Sequence, residues 1–492
     1  MKHGVVAAGD PQSANAGAEL LRAGGNAIDA AVATAFAAFV CELPLCSPLG
    51  GGAMLVELAN GESHAIDLFA RAPGLGGARP AEMDFGNVEV SFGAATQVFH
   101  VGRASVAIPL ALPGLIDAHR RWGSLPLSEV VAPAVALGRS GWTLGPGVGF
   151  VFQVLTPIVE LTPECRALYA TKTGALGVRG DRLVNPDLAS TFEDLARSPD
   201  DRLRDIFAAL AREFGPDRGG LVTTRDIEEA RIRNLTPVRA KHGAGDDGWD
   251  IATMPAPSTG GRLVALGLQL HEGAGEKSAF GSPEHFLDVA RVQERLLAER
   301  TRSQLGSTSH LSAIDQDGMA VSLTLTNGEG CGHVLSGTGM VANNLLGEED
   351  IHPNGFHLDP PGAPLMTMMA PTILRRGTRR IALGSGGSNR LRNAILQVLV
   401  GLVEHGVDVE TAVKASRLHL EPRSKGGYRA AFENVDLAPG VADAIRAAYP
   451  NDLAVFSALN LYFGGVHAAI ANGDGTFSGA GDPRRGGAVS IV

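Results

Sequence analysis

At 492 residues, with 45% hydrophobic and 19% charged side chains, the chain can bury a large core, which excludes disorder and a fibrous role. A net charge of −10 at pH 7 argues against nucleic acid or anionic membrane as partners, since both select a basic surface, and leaves a small molecule as the expected ligand. The four cysteines, Cys41, Cys46, Cys165 and Cys331, show no paired spacing and read as buried free thiols of a reducing compartment.

The N-terminus shows no basic stretch followed by an apolar core and cleavage site. The longest apolar run, 27–40, is too short to span a bilayer and carries Asp29, so the expected location is cytoplasmic. Residues 13–23 have helical Ala/Leu spacing, with Ser13 as the expected cap and Gly24-Gly25 as the stop. Asn26 is the expected cap of a second helix over 27–40, apolar on nearly every side and therefore buried. Residues 48–53 (PLGGGA) read as a glycine loop leading into a strand at 54–58; no strand precedes it and no Lys-Ser/Thr follows, as a phosphate cradle would need. The spacing then predicts two helices around a turn within 107–140. Residues 142–245 have little pattern beyond a helix at 203–214 and a surface loop near 242–248. A strand at 249–253, a turn at 255–261 and helices at 263–271 and 285–305 follow. Strands at 311–314, 320–326 and 381–384, a helix at 391–405, and strands at 465–471 and 487–492 complete the chain. Strands in both halves flanked by helices imply a layered α/β architecture, two sheets sandwiched between helices.

The chemistry concentrates at 306–327. A threonine behind a Gly306-Ser307 pair, at the head of a hairpin, is where a chain can cut itself and expose an N-terminal nucleophile. Val321, Leu323 and Leu325 form one face of their strand, and Ala320, Ser322, Thr324 and Thr326 the other. To put Leu311 and Ala313 on the same apolar face, the connecting loop must have an odd number of residues. Gln316-Asp317-Gly318 satisfies this and places glycine where a left-handed conformation is needed. That register pairs 313 with 321 and 311 with 323, and so sets Thr308 opposite Thr326, His310 opposite Thr324 and Ser312 opposite Ser322, at roughly 5 Å between Cβ atoms. Spacing alone favours an ordinary solvated polar face.

Several segments resemble the γ-glutamyltranspeptidase family of self-processing amide hydrolases and transferases: 16–37, the PLGGGAM loop, APSTGG (256–261), TSHLSAIDQDGMAVSLTLTN (308–327), Asn343-Asn344, APTI (370–373), GSGGSNR (384–390), YFGGVHA (462–468) and GAGDPRRGG (479–487). The resemblance implies a four-layer αββα sandwich of the N-terminal nucleophile hydrolase type. It also implies a zymogen cut between Ser307 and Thr308 into portions 1–307 and 308–492, which stay together as one domain and could form a homo-oligomer. Thr308 would be the nucleophile, its freed α-amine the base, and Thr326 the group that orients it, with no metal or cofactor; His310, His333, His352 and His357 are then structural. The oxyanion donors match either Gly386/Gly387 or Gly387/Ser388. Ser385 cannot be a nucleophile elbow, since Leu383 stands where GxSxG needs glycine.

The substrate pocket departs from the family pattern. Phe69 occupies the place of the arginine that holds the α-carboxylate of a γ-glutamyl group, and a phenyl ring cannot replace a bidentate guanidinium. Arg71, two residues on, either substitutes in part or faces solvent. Thr367-Met368 keeps one hydroxyl of a serine pair, either Glu348 or Glu349 matches the acid that receives the α-amine, and Asn327 and Asn344 complete the expected binding set. Three readings follow: an acyl hydrolase/transferase acting on a γ-glutamyl amide; the same apparatus applied to another acyl compound, such as an antibiotic precursor or a biosynthetic intermediate cleaved at an activated carbon–carbon bond; and a non-catalytic relative.

Overall fold

A computed structural model describes residues 3–91, 96–243, 245, 248–273, 278–298, 308–352, 354–387, 390–423 and 426–492. The first helix, Pro11–Arg22, begins earlier than Ser13. Asp10 caps it by accepting from the Gln12 N–H, Pro11 supplies a preset helical φ, and Ser13 lies buried inside. The second, Ala27–Cys41, has the expected Asn26 cap, closed into a box with Asp29, and every residue in it is buried. Gly51 and Gly52 belong to the strand Gly51–Glu57 rather than to a loop. A Cβ on Gly51 would fall 2.4 Å from the Phe69 carbonyl oxygen, so only glycine fits this close approach. The helix expected at 285–305 runs Pro283–Ala298, and residues 299–307 lie outside the described residues.

Two antiparallel sheets carry the architecture. The first has the spatial order Arg233–Leu235, Ser63–Leu68, Gly51–Glu57, Ala320–Thr326, Ser309–Asp315, Gly4–Ala8, Ala488–Ile491. The second runs Val238–His242, Trp249–Thr253, Thr372–Arg376, Arg379–Gly386, Gly465–Ala471, Phe477–Ala480. Helices Pro11–Arg22 and Ala27–Cys41 cover the outer face of the first sheet, and Gly260–Glu272 and Leu391–Val403 cover that of the second, giving the αββα order. The poorly patterned stretch supplies an edge strand to each sheet, 233–235 and 238–242, so the chain crosses between sheets within two residues.

The central hairpin has the expected register: Ala313 pairs with Val321, Ser312 with Ser322, Leu311 with Leu323 and His310 with Thr324, and Gly318 turns with φ +87°. Leu311, Ala313, Val321, Leu323 and Leu325 join the core beneath the Ala27–Cys41 helix. The opposite, polar face is not solvated. It meets the second sheet, and His310, Ser312, Ser322 and Thr324 are all at most 1% exposed. Burial there is tolerable because the hydroxyls and ring are paired: His310 Nδ1 with Thr324 Oγ1 (2.9 Å), His310 Nε2 with Ser312 Oγ (3.0 Å), and Ser322 Oγ donating to the Leu383 carbonyl (2.9 Å). Small polar side chains let the sheets approach, and the His310 ring lies against Gly384, where a Cβ would come within 2.4 Å of it.

Candidate active site

Thr308 sits one residue before the strand Ser309–Asp315, 5% exposed, at the rim between the two sheets. The last ladder pair, Ser309 with Leu325, extends by one step to bring Thr308 opposite Thr326. Thr326 is also buried, and its hydroxyl accepts from the Gly328 N–H at 3.1 Å. Gly306 and Ser307 lie outside the described residues.

The glycine-rich turn closes over Thr308 from the second sheet. Gly387, at φ +117°, donates its N–H to the Thr308 carbonyl (3.2 Å), and a Cβ on Gly386 would lie 2.5 Å from that oxygen. Both alternative donor pairs include Gly387, whose N–H is engaged by the Thr308 carbonyl; Ser388 lies outside the described residues. Ser385 is buried and structural, accepting from the Gly465 N–H.

A second ligand of the Thr308 carbonyl is Arg485 Nη1, at 3.0 Å. Burial lowers the Arg485 pKa to about 10, with Asp482 and Glu42 opposing the fall. The turn carrying Arg485 is fixed by a buried ionic network. Asp482 accepts from Arg417 Nη2 (2.6 Å), Arg484 Nη1 (3.2 Å) and the Val466 N–H (2.9 Å), and Arg484 Nε donates to Glu433 (2.8 Å). On the other side, Ser309 Oγ donates to Glu42, the C-cap residue of the Ala27–Cys41 helix. Burial, with Asp10 nearby, pushes the Glu42 carboxyl up to about 7. The sequence reading passed over both residues. Their signals were an acid closing an otherwise apolar helix and the second arginine of GAGDPRRGG.

The expected binding residues divide into two groups. Asn327 is fully buried next to Thr326, and its side-chain amide has no hydrogen-bond partner among the described residues. Glu348 and Asn344 both pack against Gly328, where a Cβ would lie 2.6 Å and 2.0 Å from their oxygens; Glu349 is exposed. The Asn344 amide is committed to the His100 carbonyl and the Glu329 N–H, so it holds the 327–330 turn. Phe69 approaches with its ring against Gly51, the residue paired with Thr326, inside an apolar cluster with Leu345, Leu365 and Met369. Arg71 does not face solvent, and its guanidinium is held on Asp67. It is 5% exposed, paired with Asp67 at 3.2 Å and donating to the Arg231 carbonyl at 2.7 Å, because the buried carboxylate of Asp67 needs cations on that side. Thr367 is buried, its hydroxyl accepting from the Met369 N–H. His333 and His352 pair with Asp84 and Asp359, and His357 bonds the Ala104 carbonyl. Among the described residues no cluster of three or more His, Cys, Asp or Glu is arranged to hold a metal, and all four cysteines are buried and free.

Between Arg485 and the segment Pro146–Val154 lies an apolar hollow lined by Leu45, Phe150, Val154, Leu155 and Leu461. It adjoins the site from two directions. Arg485 binds the Thr308 carbonyl, and the Leu45 carbonyl accepts the Asn327 N–H at 3.3 Å.

A four-layer sandwich with a threonine at the head of its central hairpin defines an N-terminal nucleophile hydrolase fold. The solved cephalosporin acylase from Bacillus halodurans superposes with a TM-score of 0.78 at 22% identity, over 99% of this chain and 96% of that one. The gamma-glutamyltranspeptidase family model matches residues 13–304 and 287–492, and the chain belongs to that family, whose members are enzymes of this hydrolase and transferase class. The acylase ACY 1 proenzyme of Pseudomonas sp. strain SE83 is 30% identical across 97% of this chain and 91% of its own length. The glutathione hydrolase proenzyme of Pseudomonas aeruginosa is 28% identical across 90% and 87%.

Proposed function

We propose that the chain matures by cutting itself between Ser307 and Thr308, and that mature Thr308 is the nucleophile of an acyl hydrolase or transferase whose acyl group is apolar rather than γ-glutamyl. In maturation the Thr308 hydroxyl attacks the Ser307 carbonyl carbon, and the C–N bond breaks with the acyl group passing to oxygen. Water then hydrolyses the ester, leaving a carboxylate on Ser307 and a free α-amine on Thr308. With an ordinary pKa of roughly 7.7–8.0, that amine is substantially neutral near physiological pH and takes the hydroxyl proton in each later acyl transfer. Support for the nucleophile is the position of Thr308 opposite Thr326, with its main chain gripped by Gly387 and Arg485. An oxyanion donor comes from this glycine turn, either from a neighbouring N–H or from Gly387 once it releases the Thr308 carbonyl. The two portions stay associated, because 309–315, 320–326 and 488–491 are interleaved with strands of residues 1–307 in one sheet.

The observation that carries the substrate assignment is the pairing of Arg71 with Asp67 while Phe69 presents a ring beside Gly51. A carboxylate clamp is thereby lost on that side, and the Phe69 ring stands there among Leu345, Leu365 and Met369. The acylase names of relatives agree with this reading, and the name glutathione hydrolase points to the alternative. Mass spectrometry of purified protein is expected to find fragments 1–307 and 308–492, with Thr308→Ala whole; an intact wild-type chain refutes the maturation. Incubation with apolar acyl amides is expected to leave an acyl adduct on Thr308. Faster turnover of a γ-glutamyl anilide refutes the substrate assignment.

A further inference from the structure

Glu42 stands where electrostatics disfavours an acid. It ends the Ala27–Cys41 helix, whose C-terminus carries the negative pole of the macrodipole, and it is 1% exposed. One carboxyl oxygen accepts from Ser309 Oγ, and the Ser13 hydroxyl also faces the carboxyl. The groups facing it are Asp10 from the turn before the first helix, Ser13 of that helix, Ser309 of the hairpin, Arg485 of the 482–487 turn, and the thiols of Cys41 and Cys46. A carboxyl kept in such a place, bonded to the residue that follows Thr308, calls for a function.

The connections run to Thr308 by two routes. Ser309 directs its hydroxyl to the helix side of the strand, where Glu42 fixes it, while Thr308 by alternation faces the second sheet. Arg485, whose charge is favoured by Asp482 first and Glu42 second, donates to the Thr308 carbonyl on that second side. We propose that Glu42 is a positioning residue for cleavage of the Ser307–Thr308 bond, its carboxylate anchoring Thr308 through the Ser309 hydroxyl and the Arg485 guanidinium. The proposal rests on the reading that the chain cuts itself at Thr308. Ionised Glu42 attracts Arg485 and accepts from Ser309; the protonated acid keeps an acceptor but loses the attraction.

The uncut chain makes this separable from the mature reaction. Before cleavage Thr308 has an amide nitrogen and no α-amine, so a near-neutral titration in the maturation rate must come from another group. His310 and His467 cannot supply it, because burial drives His310 well below its ordinary value and His467 to about 4. Burial carries Glu42 into the neutral range.

The test is the rate of appearance of the 308–492 fragment in refolded whole chain, measured from about pH 5.5 to about pH 8.5, for wild type and Glu42→Gln. Gln keeps an acceptor for Ser309 and removes the charge. The wild-type rate is expected to exceed the variant's by about tenfold or more at the alkaline end and to converge with it at the acid end. A ratio constant across the range marks a merely structural residue and overturns the proposal, as do equal rates. Ser309→Ala, which leaves the helix end intact, is expected to slow cleavage by about fivefold or more at the alkaline end, and a wild-type rate in it also overturns the proposal. A wild type that never cuts instead refutes the self-cleavage reading, and this proposal with it.

Discussion

Asp482→Asn should unfold the support of Arg485 at a cost readable in both stability and maturation. Asp482 is fully buried between Arg417 and Arg484, and all four members of the network, Arg417, Glu433, Asp482 and Arg484, are at most 5% exposed. Burial alone would raise the Asp482 pKa, but Arg417, Arg484 and two backbone N–H groups outweigh it and hold the carboxyl at about 2, against an ordinary 3.8. That difference corresponds to roughly 2.5 kcal/mol favouring the folded chain. Removing one charge from a buried, hydrogen-bonded set typically costs about 3–5 kcal/mol, because the remaining arginines keep a net positive charge without a partner. The two figures agree on about 3 kcal/mol. Because the folded value lies below the unfolded one, this stability is present above the unfolded pKa and is lost as pH falls from 3.8 through about 2. Urea unfolding of the uncut Thr308→Ala chain, with and without Asp482→Asn, should therefore show a gap of about 3 kcal/mol near neutral pH that narrows below about pH 4. A gap under about 1 kcal/mol, or one that persists unchanged in acid, would refute the view that this network is held by charge.

Two further outcomes are expected. Thr326→Val removes the acceptor of the Gly328 N–H and the hydroxyl facing Thr308 without changing side-chain volume, so stability should fall by about 1 kcal/mol and turnover by about tenfold to a hundredfold; fragment-rate and substrate kinetics check this, and unchanged kinetics would remove Thr326 from the site. Arg71→Gln breaks the ion pair to Asp67, which retains Arg233, and should destabilise by roughly 2–3 kcal/mol while leaving KM for the acyl donor unchanged; a large rise in KM at constant stability would restore Arg71 as a substrate clamp.

The layered fold and the register of the hairpin were legible in the sequence for a local reason. The period of two in 309–326 requires an odd loop to keep Leu311, Ala313, Val321 and Leu323 together, the glycine at 318 suits a loop of three, and the ladder has that register. Asn26 likewise marked the start of the second helix, and it caps that helix, closed into a box with Asp29. Ser13 was misread because a cap is set by the backbone around Asp10-Pro11, which composition alone does not rank.

By itself, then, the sequence determined the elements with short-range signatures: caps, hairpin register, and the threonine at the hairpin's head. Only the tertiary structure decided what those elements face. The polar side of the hairpin is dry because a second sheet covers it, its Leu383 and His467 carbonyls accepting from Ser322 and Ser312, a fact no alternation pattern contains. Arg71 is claimed by Asp67 and by a carbonyl 160 residues away, partners that spacing cannot reveal. Glu42 and Arg485, at opposite ends of the chain, bond Ser309 and Thr308 respectively because the strand after the first helix pair and the strand after the last turn both join the hairpin's sheet. Charge and hydrogen bonding act over a few ångströms in space, and the fold alone fixes which residues share them.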